Sequence, residues 1–117
     1  MTKGQIEAKI SEAVTKFELE VMGRGPKEIN TIIINDLIII RLKGFFSTSE
    51  KRLAENNSVE LVKRVRTLLF ENEVENFKQI IQNIIDTEII SVHSDVSTLT
   101  GEKVIVATVN LDLESNY

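Results

Sequence analysis

The chain has 117 residues, with 14 Lys and Arg against 18 Asp and Glu, a formal net charge of −4, one His and no Cys. A chain of this length can bury a core without staples, and the missing thiols exclude disulfides, a thiolate nucleophile and cysteine-ligated zinc or iron–sulfur clusters. The acidic balance, with five Phe, one Tyr and no Trp, argues against a nucleic-acid binder, which needs a basic footprint and a stacking platform.

The N-terminal stretch MTKGQIEAKISEAV carries charges where a signal peptide has its apolar run. Ile6, Ile10, Ala13, Val14, Phe17 and Val21 instead follow the i, i+3, i+4, i+7 spacing of an amphipathic helix. Thr2 and Gln5 have capping-box spacing at its start. Gly23 suits the left-handed position that ends it, and Pro26 blocks continuation.

The stretch EINTIII-ND-LIIIRLK follows. Isoleucine is β-branched and favours strands, and Asn35-Asp36 reads as a two-residue hairpin turn. That turn sets the register: Ile34 faces Leu37, Ile33 faces Ile38, and Glu28 faces Lys43. One sheet face then carries Ile29, Thr31, Ile33, Ile38, Ile40 and Leu42 and should take the helices. The other carries Ile32, Ile34, Leu37 and Ile39 among Glu28, Asn30, Arg41 and Lys43. Four large aliphatics form too large a patch for an open face, so a homodimer is expected, with Ile32, Ile34, Leu37 and Ile39 at its interface. The same isoleucine-rich run is interrupted by Asn35 and Asp36, and no window approaches the ~18 apolar residues of a membrane span.

Ser47 to Glu50 matches a capping box for a short helix, STSEKRLAEN, and Asn56, Asn57 and Ser58 break and re-cap the chain. A long helix is expected from Val59 to about Ile85. Its apolar positions are Leu61, Val62, Val65, Leu68, Leu69, Val74, Phe77, Ile80, Ile81, Ile84 and Ile85, and a phase slip at residues 71–73 predicts a kink or short break. A second hairpin closes the chain. Ile90, Val92 and Val96 alternate with Ser91, His93, Asp95 and Ser97; Gly101 supplies the turn; KVIVATVNLDL returns; the tail ESNY is expected to fray. The order α-β-β-α-α-β-β predicts an α+β two-layer sandwich in a single domain, 1–117, with a mainly antiparallel four-stranded sheet and helices packed on one face.

Three clusters could carry chemistry. His93 and Asp95 share one side of a strand, where a carboxylate near an imidazole could serve a general base; five hydroxyls (Ser91, Ser94, Ser97, Thr98 and Thr100) surround them. The i, i+2 spacing of about 7 Å is too long for a direct bond, and no Gly-x-Ser-x-Gly elbow is present, so a structural hydrogen-bonding role is preferred. The stretch GRGPKE places Arg24 and Lys27 around a Gly-Pro turn that could hold an anion, although a helix cap followed by a stiff turn explains the same residues. Lys51, Arg52, Lys63, Arg64 and Arg66 form a basic cluster diluted by Glu50, Glu55 and Glu60, which reads as a solvated helix face. No cofactor and no metal site is expected; one histidine excludes a multi-histidine site in one chain, and a carboxylate-only site for magnesium or calcium stays formally open.

Four stretches, GRGPKEI, IIIRLKGFFSTSEKRLAE, ELVKRVRTLLFE and SVHSDVSTLTGE, taken in this order and spacing, resemble a bacterial family labelled the C component of a Na+-translocating membrane-potential-generating system (MpsC-like). The resemblance spans about Gly23 to Asn110. The resembling positions include Gly23, Arg24, Gly25, Pro26, Arg41, Lys43, Gly44, His93, Ser94, Asp95, Ser97, Thr100 and Gly101. The chain departs from the pattern at LEVM, where an aromatic would precede GRGP. The resemblance implies association with a membrane cation-transport system and carries over no catalytic residues. With no membrane span, the expected role is a cytoplasmic, non-enzymatic accessory or regulatory component, peripheral at the inner face of the membrane, with an integral-membrane transporter subunit as partner and no nucleic acid. The alternatives are a small-molecule or anion-binding module lined by Arg24, Arg41, His93 and Asp95, and an enzyme using His93 and Asp95.

Overall fold

A computed structural model describes residues 1–44, 48–55 and 58–116. Helix α1 (Lys3–Met22) begins at the expected cap: the Gln5 N–H donates to Thr2 Oγ1 at 3.2 Å, and the Thr2 N–H donates to Gln5 Oε1 at 2.9 Å. It ends on Gly23, whose φ of 75° places it in the left-handed region. Strands β1 (Glu28–Ile34) and β2 (Leu37–Lys43) pair in the register read from the turn, from Ile34 with Leu37 out to Glu28 with Lys43. Asn35 takes the positive φ, 53°, a conformation asparagine tolerates better than most residues.

Helix α2 (Thr48–Glu55) is followed by α3 (Val59–Asn72) and α4 (Val74–Ile85). The proposed cap at Ser47 and the break at Asn56 and Asn57 lie outside the described residues, as does Tyr117 of the tail. The expected kink or short break is a break at Glu73, so the long helix is two helices. The break reorients the apolar stripe. Of the apolar positions, Val62 of α3 and Phe77, Ile81 and Ile85 of α4 are buried together with Phe70, whereas Leu61, Val65, Leu68 and Leu69 are exposed. Val62, Arg66 and Phe70, four residues apart, turn α3 inward along a line that leaves Leu61 and Leu68 on its far side and Val65 and Leu69 beside it.

Strands β3 (Ile89–Ser97) and β4 (Glu102–Val109) complete an antiparallel sheet of order β1-β2-β4-β3. The register shifts between Ile89 and Ser91. Ile90 is the extra residue of this bulge and is 57% exposed while Ile89 is buried; strict alternation would have placed Ile90 with Val92, and a bulge resets the phase by one residue. The helices cover one face of the sheet. Between the layers lie Ile6, Ile10, Val14 and Phe17 of α1, Ile33, Ile38, Ile40 and Leu42 of the first hairpin, and Ile105, Ala107 and Val109 of β4. Phe17, Phe70 and Phe77 meet edge to face, with centroids 5.3–6.2 Å apart, each pair contributing about 0.5–1.5 kcal/mol beyond its buried area.

Candidate functional site

Strand pairing arranges the uncovered face of the sheet in four rows. They read Glu28–Lys43–Glu102–Ser97, Asn30–Arg41–Val104–Asp95, Ile32–Ile39–Val106–His93 and Ile34–Leu37–Thr108–Ser91. The first row is charged and the last two are mostly aliphatic. Ile32 and Ile34 are each 43% exposed, and Leu37, Ile39, Val104 and Val106 are half-buried. Period-two alternation with isoleucine at every position of β1 and β2 from 32 to 34 and from 38 to 40 makes both faces apolar, one for the core and one outside.

The sheet brings Arg41, His93 and Asp95 onto this one face but does not gather them. Arg41 and Asp95 share a row with Val104 between them, a lateral separation of two strand spacings, about 10 Å. Arg41 Nε donates to Glu102 Oε2 at 2.8 Å. Arg41 lines a cavity of about 170 Å³ with Glu28, Asn30 and Lys43 at the β1 side. His93 lines a different one, about 370 Å³, at the β3 edge with Phe70, Glu71, Val74 and Lys78 of α3 and α4. Arg24 precedes β1, in the loop leaving α1, on the sheet edge opposite β3. Arg41 and His93 therefore line separate cavities toward opposite edges of the sheet.

Asp95 is exposed and accepts from its neighbour's backbone, the Val96 N–H, at 2.8 Å. Lys63 of α3 reaches it at 3.3 Å. These two contacts, the backbone donor first, hold its carboxyl below the usual aspartate value. Both of these partners of Asp95 are groups other than His93. The surrounding hydroxyls have turn work: the Thr100 N–H donates to Ser97 Oγ and the Glu102 N–H to Thr100 Oγ1, both at 3.3 Å, while Gly101 adopts φ 71°. This turn, residues 98–101, lines a cavity of about 530 Å³ with Gly44, Lys51, Glu55 and Val59. Among the described residues no cluster of three or more His, Asp or Glu could hold a metal ion.

A charged group that sequence reasoning missed lies beneath the sheet. Lys103 Nζ donates to Glu18 Oε1 at 2.8 Å, with the two side chains 2% and 0% exposed. The ammonium also sits 4.3 Å from the centroid of the Phe70 ring, a favourable cation–π distance. Beside it, the buried Arg66 guanidinium forks onto both carboxylate oxygens of Glu50, tying α3 to α2. Burial pushes the Lys103 pKa below its ordinary value, Glu18 opposes that shift, and the nearby Arg66 charge adds to it. The signal was present: Glu18 continues the Ile6, Ile10, Val14 progression in steps of four, and Lys103 occupies the inward phase of β4 with Ile105, Ala107 and Val109.

Residues 2–111 match the family described as Na+-translocating membrane potential-generating system (MpsC). The chain is 37% identical over 116 residues to the uncharacterised protein YbcI of Bacillus subtilis (strain 168), covering 98% of this chain and 94% of that one. No solved structure matches.

Proposed function

The chain belongs to the MpsC family, and from that premise we propose that it is a non-enzymatic accessory component of a membrane cation-transport system, acting by binding and working as a homodimer. The observation that carries this reading is the uncovered sheet face, whose aliphatic rows Ile32–Ile39–Val106 and Ile34–Leu37 form a surface suited to protein association. Among the described residues no helix is long and apolar enough to cross a membrane. In this reading the ion path belongs to a partner, and this chain acts at the cytoplasmic side of that partner.

The dispersal of Arg24, Arg41 and His93 does not favour a ligand pocket built from them. The partners of Asp95 do not favour a His93–Asp95 catalytic pair. The test is affinity recovery of the tagged chain from detergent-solubilised membranes of the native host, with the soluble fraction in parallel. Specific recovery of an integral-membrane cation-transport subunit is expected. Its absence from the membrane fraction, with the tagged chain present and folded, would remove the accessory role.

A further inference from the structure

The rows of the uncovered sheet face are unequal, and their order restricts how two copies could meet. Two sheets stacked face to face keep their strands within about 30° of each other, roughly 10 Å apart. A symmetric pair then has two simple choices for a twofold axis lying in the interface. An axis across the strands places each row over a different one: Lys43 comes to lie on Leu37 of the second copy, and its ammonium is buried against an aliphatic with no partner there, which is costly. An axis along the strands, between β2 and β4, keeps each row at its own level and exchanges the two central strands. Ile39 then lies over Val106 of the second copy, Leu37 over Thr108, and Lys43 over Glu102. Each contact occurs twice, as an isologous interface requires.

Resting on the dimer reading above, we infer that the chain self-associates through this sheet face about a twofold axis parallel to β2 and β4, with Lys43 of each copy paired to Glu102 of the other. Lys43 and Glu102 are cross-strand neighbours at the charged end of the central strands, and Lys43 is exposed. Glu102 carries Arg41 on one oxygen, Oε2; a carboxylate has two oxygens and about four acceptor positions, leaving capacity for a second cation. Arg41 lies over Val104 with Glu102 of its own chain as its partner, and Ile32 and Ile34 lie over His93 and Ser91. Asn30 comes to lie over Asp95 and Glu28 over Ser97, donor–acceptor combinations with no like charges opposed. The aliphatic rows supply the contact area, and the charged row sets the axis, since electrostatic complementarity fixes register more than it adds affinity.

The test uses two charge reversals, K43E and E102K, in sedimentation equilibrium, with circular dichroism confirming that each variant is folded. In a homodimer of either variant, like charges face one another twice, so each is expected to dissociate at least ~10-fold more readily than the wild type, about 1.4 kcal/mol. In an equimolar mixture, the carboxylate introduced at position 43 of one variant meets the ammonium introduced at position 102 of the other, and the native pair survives at the second contact. The mixture is expected to recover dimer that neither variant forms alone. A wild-type dimer that both reversals leave unchanged, or variants whose mixture stays monomeric, would overturn this axis while leaving the dimer itself standing. A monomeric wild type at the highest concentration it tolerates would overturn both.

Discussion

Glu18 and Lys103 join α1 to β4 inside an otherwise apolar layer. A buried ion pair is a weak source of net stability, because desolvation offsets most of the attraction, but removing one partner strands the other. Lys103→Met alone is therefore expected to cost about 3–5 kcal/mol, whereas Glu18→Leu with Lys103→Met should range from neutral to about 4 kcal/mol more stable. Urea unfolding of the three proteins decides between these outcomes. The same pair sets a pH dependence. Burial lowers the Lys103 pKa from 10.5, so between the lowered value and 10.5 the unfolded chain holds a proton that the folded chain has released. In that window the unfolding free energy rises with pH. Measured against the double variant as baseline, the wild type should gain stability as pH approaches 10.5; a flat or falling difference would contradict the buried, lowered lysine.

At the level of elements, the first hairpin depends on a glycine that its alternation pattern does not explain. Gly44 follows β2 with φ 70°, and a Cβ placed there would lie 2.9 Å from Cβ, Cγ and Cδ of Lys27. The Lys27 N–H donates to the Lys43 carbonyl at 2.9 Å, which holds the two backbones together at this point. Gly44→Ala is expected to destabilise by at least ~1–2 kcal/mol, the cost of a left-handed non-glycine residue, with the Lys27 contact adding to it. Gly4 in α1 meets nothing within 4 Å, and Gly4→Ala should stabilise by up to about 1 kcal/mol. Thermal unfolding of the two variants should move in opposite directions. Alternation and turn chemistry made the hairpin legible from its sequence, and Thr2, Gln5 and Gly23 made α1 legible at both ends. The bulge at Ile90 was not legible, because Ile89 and Ile90 are chemically identical and only the pairing of Ile89 with Val109 and of Ser91 with Thr108 singles out Ile90.

For the molecule as a whole, the sheet has one face against the helices and one uncovered, and adjacent isoleucines divide between them. Ile38 is fully buried and Ile39 half-buried on the opposite side. Ile38→Lys should prevent folding, since an unpaired ammonium would enter the core. Ile39→Lys should leave the melting temperature close to that of the wild type while shifting the protein to monomer in sedimentation velocity. A folded dimeric Ile39→Lys protein would mean that copies meet elsewhere. The exposed Leu61, Val65 and Leu68 on α3 show the limit of helical periodicity: it identifies apolar positions but not which side of the helix the sheet will take.

Local rules determined much of this protein before any tertiary contact was known. The succession of helix, hairpin, helical block and hairpin, the Asn35-Asp36 turn and the β1–β2 register follow from chain-neighbour chemistry, as does the shared side of His93 and Asp95 on their strand, because capping, turn geometry and period-two alternation act over a few residues. Tertiary structure alone decided the strand order β1-β2-β4-β3, which separates Arg41 from His93 by two strands. It decided the break that turns α3 apart from α4. It also brought together Glu18 and Lys103, 85 residues apart in the chain. Such pairings depend on which surfaces meet in space, and local propensity carries no information about a partner that far along the chain.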